Sequence, residues 1–198
     1  MINKYRMLYI YVNKHLNILC EIMINYLKNN FKNNIMKDLT TPITNEDLSN
    51  LNVGDKITIS GTVYTGRDAA LPQLVELIEN NEVPFSLCGS VIMHTAFSEA
   101  GIAPTTSSKV EIESSIPILS ENGVKIHIGK GMLNKNTVKS LNDNNSIFVI
   151  TPPVAALLTN KVIKKECVLF KNEGMEAMFK LKVDKIPGIV AIKDGKII

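Results

Sequence analysis

Ile57, Ile59, Gly61 and Val63 alternate with Lys56, Thr58, Ser60 and Thr62. Successive side chains of a strand face opposite ways, so this period of two predicts a half-buried strand ending at Tyr64. Thr65-Gly66 breaks the alternation. Ala70, Leu74, Leu77 and Ile78 then recur at helical spacing, with Pro72 tolerated because first-turn amides lack helical partners. Arg67 therefore lies at a strand-to-helix junction. Short apolar runs at 90–93, 124–128, 146–150 and 167–170 predict further strands, as do 179–183 and 188–192. Helical or turn-like stretches separate them at 111–119, 135–141 and 154–158.

Ahead of the first clear strand, residues 38–42 are expected to be extended, because the residue before Pro42 is pushed out of the helical region. Thr44 resembles an N-cap with Asp47 three residues on, opening one helical turn through Leu48. Asn52-Val53-Gly54-Asp55 reads as a turn. Strands that alternate with short helices imply an α/β sheet with crossovers.

Residues 1–35 have a different pattern. Leu16, Leu19, Ile22, Met23, Tyr26 and Leu27 fall on one face of a helix, but charged residues punctuate the segment, so neither a signal peptide nor a membrane span is expected. Residues 1–36 are read as an N-terminal extension, either an amphipathic helix or residues ahead of a mis-assigned start, and 37–198 as the working domain.

Charge sharpens that division. Of 22 basic and 19 acidic residues in the chain, the first 37 positions hold six basic and one acidic, leaving 16 basic and 18 acidic in the rest. The pI near 8.7 thus comes from the tail and gives no support to nucleic-acid binding by the folded part. Cys20, Cys88 and Cys167 are odd in number and widely spaced, with no Cys-x-x-Cys pair. Neither a disulfide framework nor a metal site of the chain's own is expected, which fits a reducing cytoplasm. Cys88 and Cys167 adjoin expected strands and are read as small buried thiols.

Polar loops interrupt the apolar runs at 64–68, 104–109, 128–131 and 151–153, and three of them carry a cation, Arg67, Lys109 or Lys130, beside glycine or hydroxyl residues. That is the chemistry of a pocket for a carboxylate-bearing ligand. Plainer readings stand beside it. Arg67-Asp68 could be a local ion pair with Asp68 capping the following helix, Lys130 a solvated lysine in a glycine turn, and Thr105-Thr106-Ser107-Ser108 a hydroxyl-rich cap. His94 ends a strand near the same loops, either as a replacement polar contact or as a satisfied structural residue. His127 lies within a strand and is read as structural.

Taken in order, Leu39-Thr40-Thr41-Pro42, Gly54-Asp55, Ser60 through Ala70, Pro104-Thr105-Thr106-Ser107-Ser108, Ile128-Gly129-Lys130-Gly131, Ala155-Ala156-Leu157-Leu158 and Gly174-Met175-Glu176-Ala177-Met178 form a specific set. Over about residues 37–198 the chain resembles the β subunit, or C-terminal domain, of the class I fumarate hydratase and L(+)-tartrate dehydratase family. The resemblance implies a swivelling β/β/α domain that works with a separate α subunit in a hetero-oligomer of α2β2 type, the partner holding a four-iron four-sulfur cluster. The implied reaction is reversible hydration of a dicarboxylate, fumarate to malate, with L(+)-tartrate dehydration or a non-catalytic anion-binding module of the same fold as alternatives. By position, Arg67, Thr106, Lys109 and Gly129 would bind substrate, Thr105 would handle the proton at carbon and Lys130 would supply the cation it needs. The chain departs from the family's pattern where Lys109 replaces the usual arginine and Leu71 the common histidine, and the stretch before Pro104 is short.

Overall fold

The computed structural model describes residues 36–107 and 109–198, so the reading of the tail as a helix, and Ser108, lie outside the described residues. In chain order the elements are β1 (Lys37–Thr40), α1 (Asn45–Ser49), β2 (Lys56–Thr65), α2 (Ala70–Glu79), β3 (Ser90–Met93), β4 (Phe97–Ser98) and β5 (Gly101–Ile102). They continue with α3 (Val110–Glu113), α4 (Ser115–Glu121), β6 (Val124–Gly129), α5 (Lys135–Asp143), β7 (Ile147–Ile150) and α6 (Ala155–Thr159). The last are β8 (Val162–Leu169), a 3-10 segment (Lys171–Glu176), β9 (Met178–Lys193) and β10 (Lys196–Ile197). This is a mixed α/β domain built on a sheet.

Local chemistry explains much of it. Thr44 and Asp47 form the expected reciprocal cap, the Asp47 amide donating to Thr44 Oγ1 at 3.1 Å and the Thr44 amide to Asp47 Oδ2 at 2.8 Å. The expected strands at 179–183 and 188–192 are instead one strand, β9. Lys185 adopts φ 56°, but its amide finds Ser60 Oγ at 3.0 Å at an irregularity in the β2 ladder between Ile59 and Gly61, and Pro187 stays in register opposite Thr58, so neither residue ends the strand. The strand expected at 167–170 starts five residues earlier, because β8 is an edge strand whose outward Lys164, Lys165 and Glu166 hide the pattern.

Cys88 and Cys167 are both exposed, which corrects their reading as buried thiols. Adjacency to a strand confers burial only where another layer covers that strand, and Cys167 stands on the uncovered edge β8.

Strands β1, β2, β3, β6 and β7 lie side by side in that order, all parallel, and β9 runs antiparallel to both β7 and β2. Pairing at both flanks of β9 joins the last parallel strand back to the second and closes the path. Inside the turn of the sheet pack Ile57, Ile59, Val63, Val91, Met93, Ile126, Ile128, Val149, Leu181 and Val190, all buried. Alternate strand residues face the helices instead: Ile92 with Leu71, Leu74 and Leu119, and Phe148 with Ile116, Val138 and Leu141. Burying one such leucine or isoleucine contributes about 1.5–3 kcal/mol, and the two layers together explain why β7 and most of β3 read as continuous apolar runs.

Register then decides where function can sit. Thr65 pairs with Met93, Met93 with Ile128 and Ile128 with Val149, so the parallel strands end at one level. The residues beyond them, Gly66-Arg67, His94-Thr95, Lys130 and Thr151, leave the sheet along a single edge.

Candidate functional site

Neighbouring strands are about 4.8 Å apart, so loops leaving three adjacent strand ends meet within roughly 10 Å. The ladder bonds continue past the strands: the Gly66 amide donates to Met93 O at 3.1 Å and the His94 amide to Ile128 O at 2.7 Å. Open α/β sheets place ligands at the carboxyl ends of their strands, and a cavity of about 420 Å³ opens here. Thr105, Gly129, Lys130 and Thr151 line it together with Met132, Leu133, Phe148 and Ile192.

Thr105 and Lys130 therefore share one cavity, Thr105 nearly buried and Lys130 exposed. Their loops are joined through Ser107. Its amide donates to Lys130 O at 3.0 Å, and its hydroxyl accepts from the Lys130 amide at 3.3 Å. Gly129 makes this approach feasible, because a Cβ there would fall 1.8 Å from Ser107 Oγ and 2.8 Å from Phe148 Cζ. Thr106 lies outside the cavity lining and donates its amide to His94 O at 2.9 Å.

Arg67 and Lys109 are likewise not part of the cavity wall. They meet instead at Asp68: Arg67 Nε lies 3.1 Å from Asp68 Oδ1, and Lys109 Nζ bonds Asp68 Oδ2. Arg67 Nε also lies 3.7 Å from Glu176 Oε1. Burial raises the Asp68 pKa, but the Lys109 hydrogen bond and the two cations outweigh it and hold the carboxyl below its ordinary range. Asp68 therefore does not cap α2, whose N-cap is Ala69 without a side-chain bond. The acid cross-links the loop after β2 to the loop ahead of α3, one step along the edge from Thr105.

Beneath the loops lies a pair of neutral histidines. His94 Nδ1 shares a 2.6 Å hydrogen bond with Ser107 Oγ, His94 Nε2 lies 3.4 Å from His127 Nδ1, and His127 Nε2 lies 3.0 Å from Ser120 Oγ on α4. All four residues are buried. Burial pushes the His94 pKa down to about 3, and burial and the neighbouring His94 put His127 well below its ordinary value.

Among the described residues no group of three His, Cys, Asp or Glu side chains could hold a metal ion. Cys88 precedes β3, at the end of the sheet opposite the cavity, and Cys167 is on the edge strand. The described residues therefore do not fit an iron–sulfur cluster. No helix among them is long and apolar enough to cross a membrane.

The sequence reading left several participants unassigned. Glu176 stood inside a quoted motif without a role, and Asp68 was read only as a local partner of Arg67 and a helix cap; the pair to Arg67 is present, while the links of Arg67 to Glu176 and of Lys109 to Asp68 appear only in three dimensions. Thr151 Oγ1, on a residue of the cavity wall, is buried without a hydrogen-bond partner among the described residues.

A family model described as Fumarase C-terminus matches residues 13–196. The L(+)-tartrate dehydratase subunit beta of Escherichia coli K12 is 32% identical over 168 residues, covering 79% of this chain and 82% of the relative. The protein of the same name from Shigella flexneri gives the same values. Fumarate hydratase 2 of Leishmania major is 24% identical over 169 residues, 79% of this chain but 30% of that longer protein.

Proposed function

Because the chain belongs to the Fumarase C-terminus family, we propose that it is the β subunit of an iron–sulfur hydro-lyase. The reaction is reversible addition of water to a dicarboxylate, with fumarate and malate as the first pair to test. The observation that carries this reading is the shared cavity of Thr105 and Lys130 at the carboxyl ends of the parallel strands. Similarity of 32% to tartrate dehydratase β subunits, against 24% to a fumarate hydratase, favours L(+)-tartrate as a second substrate reading.

Each residue then has a physical task. Lys130, an exposed cation between glycines, binds one substrate carboxylate. Arg67 approaches both Asp68 and Glu176 through Nε, and its terminal amines would take a second carboxylate in the assembled enzyme. Thr105 handles the proton at carbon: its deprotonated oxygen takes the proton in dehydration, and its hydroxyl returns it in hydration. A threonine hydroxyl is a weak acid, so this role depends on the nearby ammonium and on a site from which water is excluded. The apolar wall of Leu133, Phe148 and Ile192 serves that exclusion. Thr106, Lys109 and Gly129 hold the loops that present these groups.

In this reading the cluster belongs to a partner α subunit, in an α2β2 assembly in the cytoplasm, and the present chain supplies cation binding and proton handling. Residues 37–198 are the catalytic unit, of swivelling β/β/α type, and residues 1–36 an extension.

The test is anaerobic co-expression with an α-type subunit from the same genome, cluster reconstitution, and assay on malate, fumarate and L(+)-tartrate. Loss of water from at least one is expected. A complex that assembles with a full cluster yet turns over none of these would overturn the hydro-lyase reading in favour of a non-catalytic anion-binding module.

A further inference from the structure

The loops that carry Thr105 and Lys130 leave different strands and are 25 positions apart in sequence, so nothing covalent keeps them in register. Their junction is Ser107, whose hydroxyl would rotate freely if it had no directional partner. His94 supplies the direction. Each polar atom of this residue is engaged at the junction or just beneath it. Its amide donates to Ile128 O at 2.7 Å, its carbonyl accepts the Thr106 amide at 2.9 Å, and Nδ1 meets Ser107 Oγ at 2.6 Å. Nε2 faces His127, and His127 is bonded in turn to Ser120 of α4. A line of buried bonds thus runs from the helix layer to the loop that holds Thr105.

We propose that His94 is a positioning residue for this site, acting through Ser107 to hold Thr105 and Lys130 in the geometry the reaction needs. The inference rests on the hydro-lyase reading above. A space-filling requirement at this position would be met by Leu or Phe, whereas the observed contacts need a side chain with two polar atoms at the two ring-nitrogen positions. A neutral imidazole donates from one nitrogen and accepts at the other, so it can bond Ser107 and His127 at once. Gly129 reinforces the point, since the space where its Cβ would stand is taken by the hydroxyl that His94 orients.

The reconstituted complex gives the test. His94→Gln keeps a polar atom near Nε2 and loses the Ser107 bond, whereas His94→Asn keeps one near Nδ1 and retains it. Ser107→Ala removes that bond from the other side, together with the one its hydroxyl accepts from the Lys130 amide. His94→Gln and Ser107→Ala are each expected to lower kcat about 100-fold with little change in KM, the scale set by misplacing a reacting group by about 1 Å. The double variant is expected to be no slower than Ser107→Ala alone, and His94→Asn to recover most of the loss. Equal activity in the Asn and Gln variants, or kcat falling in step with melting temperature across the series, would overturn the proposal. Activity of the unaltered complex reports separately on the hydro-lyase reading.

Discussion

Two polar systems flank the cavity, and they are built on opposite principles. The Arg67–Asp68–Lys109–Glu176 group is charged, half-exposed and held by ion pairs, while the Ser107–His94–His127–Ser120 line is uncharged and buried. Exposed ion pairs typically contribute about 0–1 kcal/mol, because water and salt screen them. Such a group can exchange partners when an anion arrives. A buried neutral line cannot exchange with solvent, and its members bear a desolvation cost if they are protonated or lose a partner. The charged system is suited to recognition and the neutral one to rigidity.

Acid should separate the two most strongly. The folded pKa of His94 is depressed to about 3 and that of His127 lies well below 6.5, so below pH 6.5 the unfolded chain takes up protons that the folded chain refuses. Stability is therefore complete above pH 6.5 and falls with acid, by about 1.4 kcal/mol per pH unit for each histidine. The depressed carboxyls of Asp38, Asp47, Asp68 and Asp143, with ordinary values near 3.8, add a loss of their own only at the acid end, below about pH 5. Urea unfolding at pH 7.5, 6, 5 and 4.5 checks this, and a His94→Asn/His127→Asn variant should flatten the curve between 6.5 and 4.5.

Next in size is Gly129→Ala, whose new methyl collides with Ser107 Oγ at 1.8 Å. Overpacking of this kind costs about 1–3 kcal/mol, and the displaced loop should also abolish turnover, so thermal melting and activity fall together. Lys130→Ala, on the exposed side, should lower kcat/KM about 100-fold while the melting temperature stays put, since it removes a charge directed at ligand and no packing. The smallest effect belongs to Lys109→Ala. It breaks the pair to Asp68 at a cost under about 1 kcal/mol in urea unfolding, and the effect should shrink further in high salt.

The frame of this comparison was readable in the chain. The alternation through 56–63 gave β2, the short apolar runs gave β3, β6 and β7, and parallel order brings their following loops to one edge without further information. Thr44 and Asp47 announced their cap because both partners lie within four residues. Contacts between distant positions were not readable. The 107–94–127–120 line and the approach of Arg67 to Glu176 depend on strand register, which no local pattern encodes. Burial of Cys88 and Cys167 failed for a related reason: residue type suggests the interior, but the layer above a residue decides it. Likewise, β9 looked interrupted because Lys185 and Pro187 are poor strand residues, and the compensating Ser60 hydroxyl lies 125 positions away.

The double pairing of β9 has a consequence in time. β2 and β7 must each wait for residues 178–193 before their outer edges are satisfied, so a nascent chain leaving the ribosome carries both as open edges until nearly all of the described domain has been synthesised. Such late, long-range pairing is slow and leaves an unfinished chain exposed to edge-to-edge association.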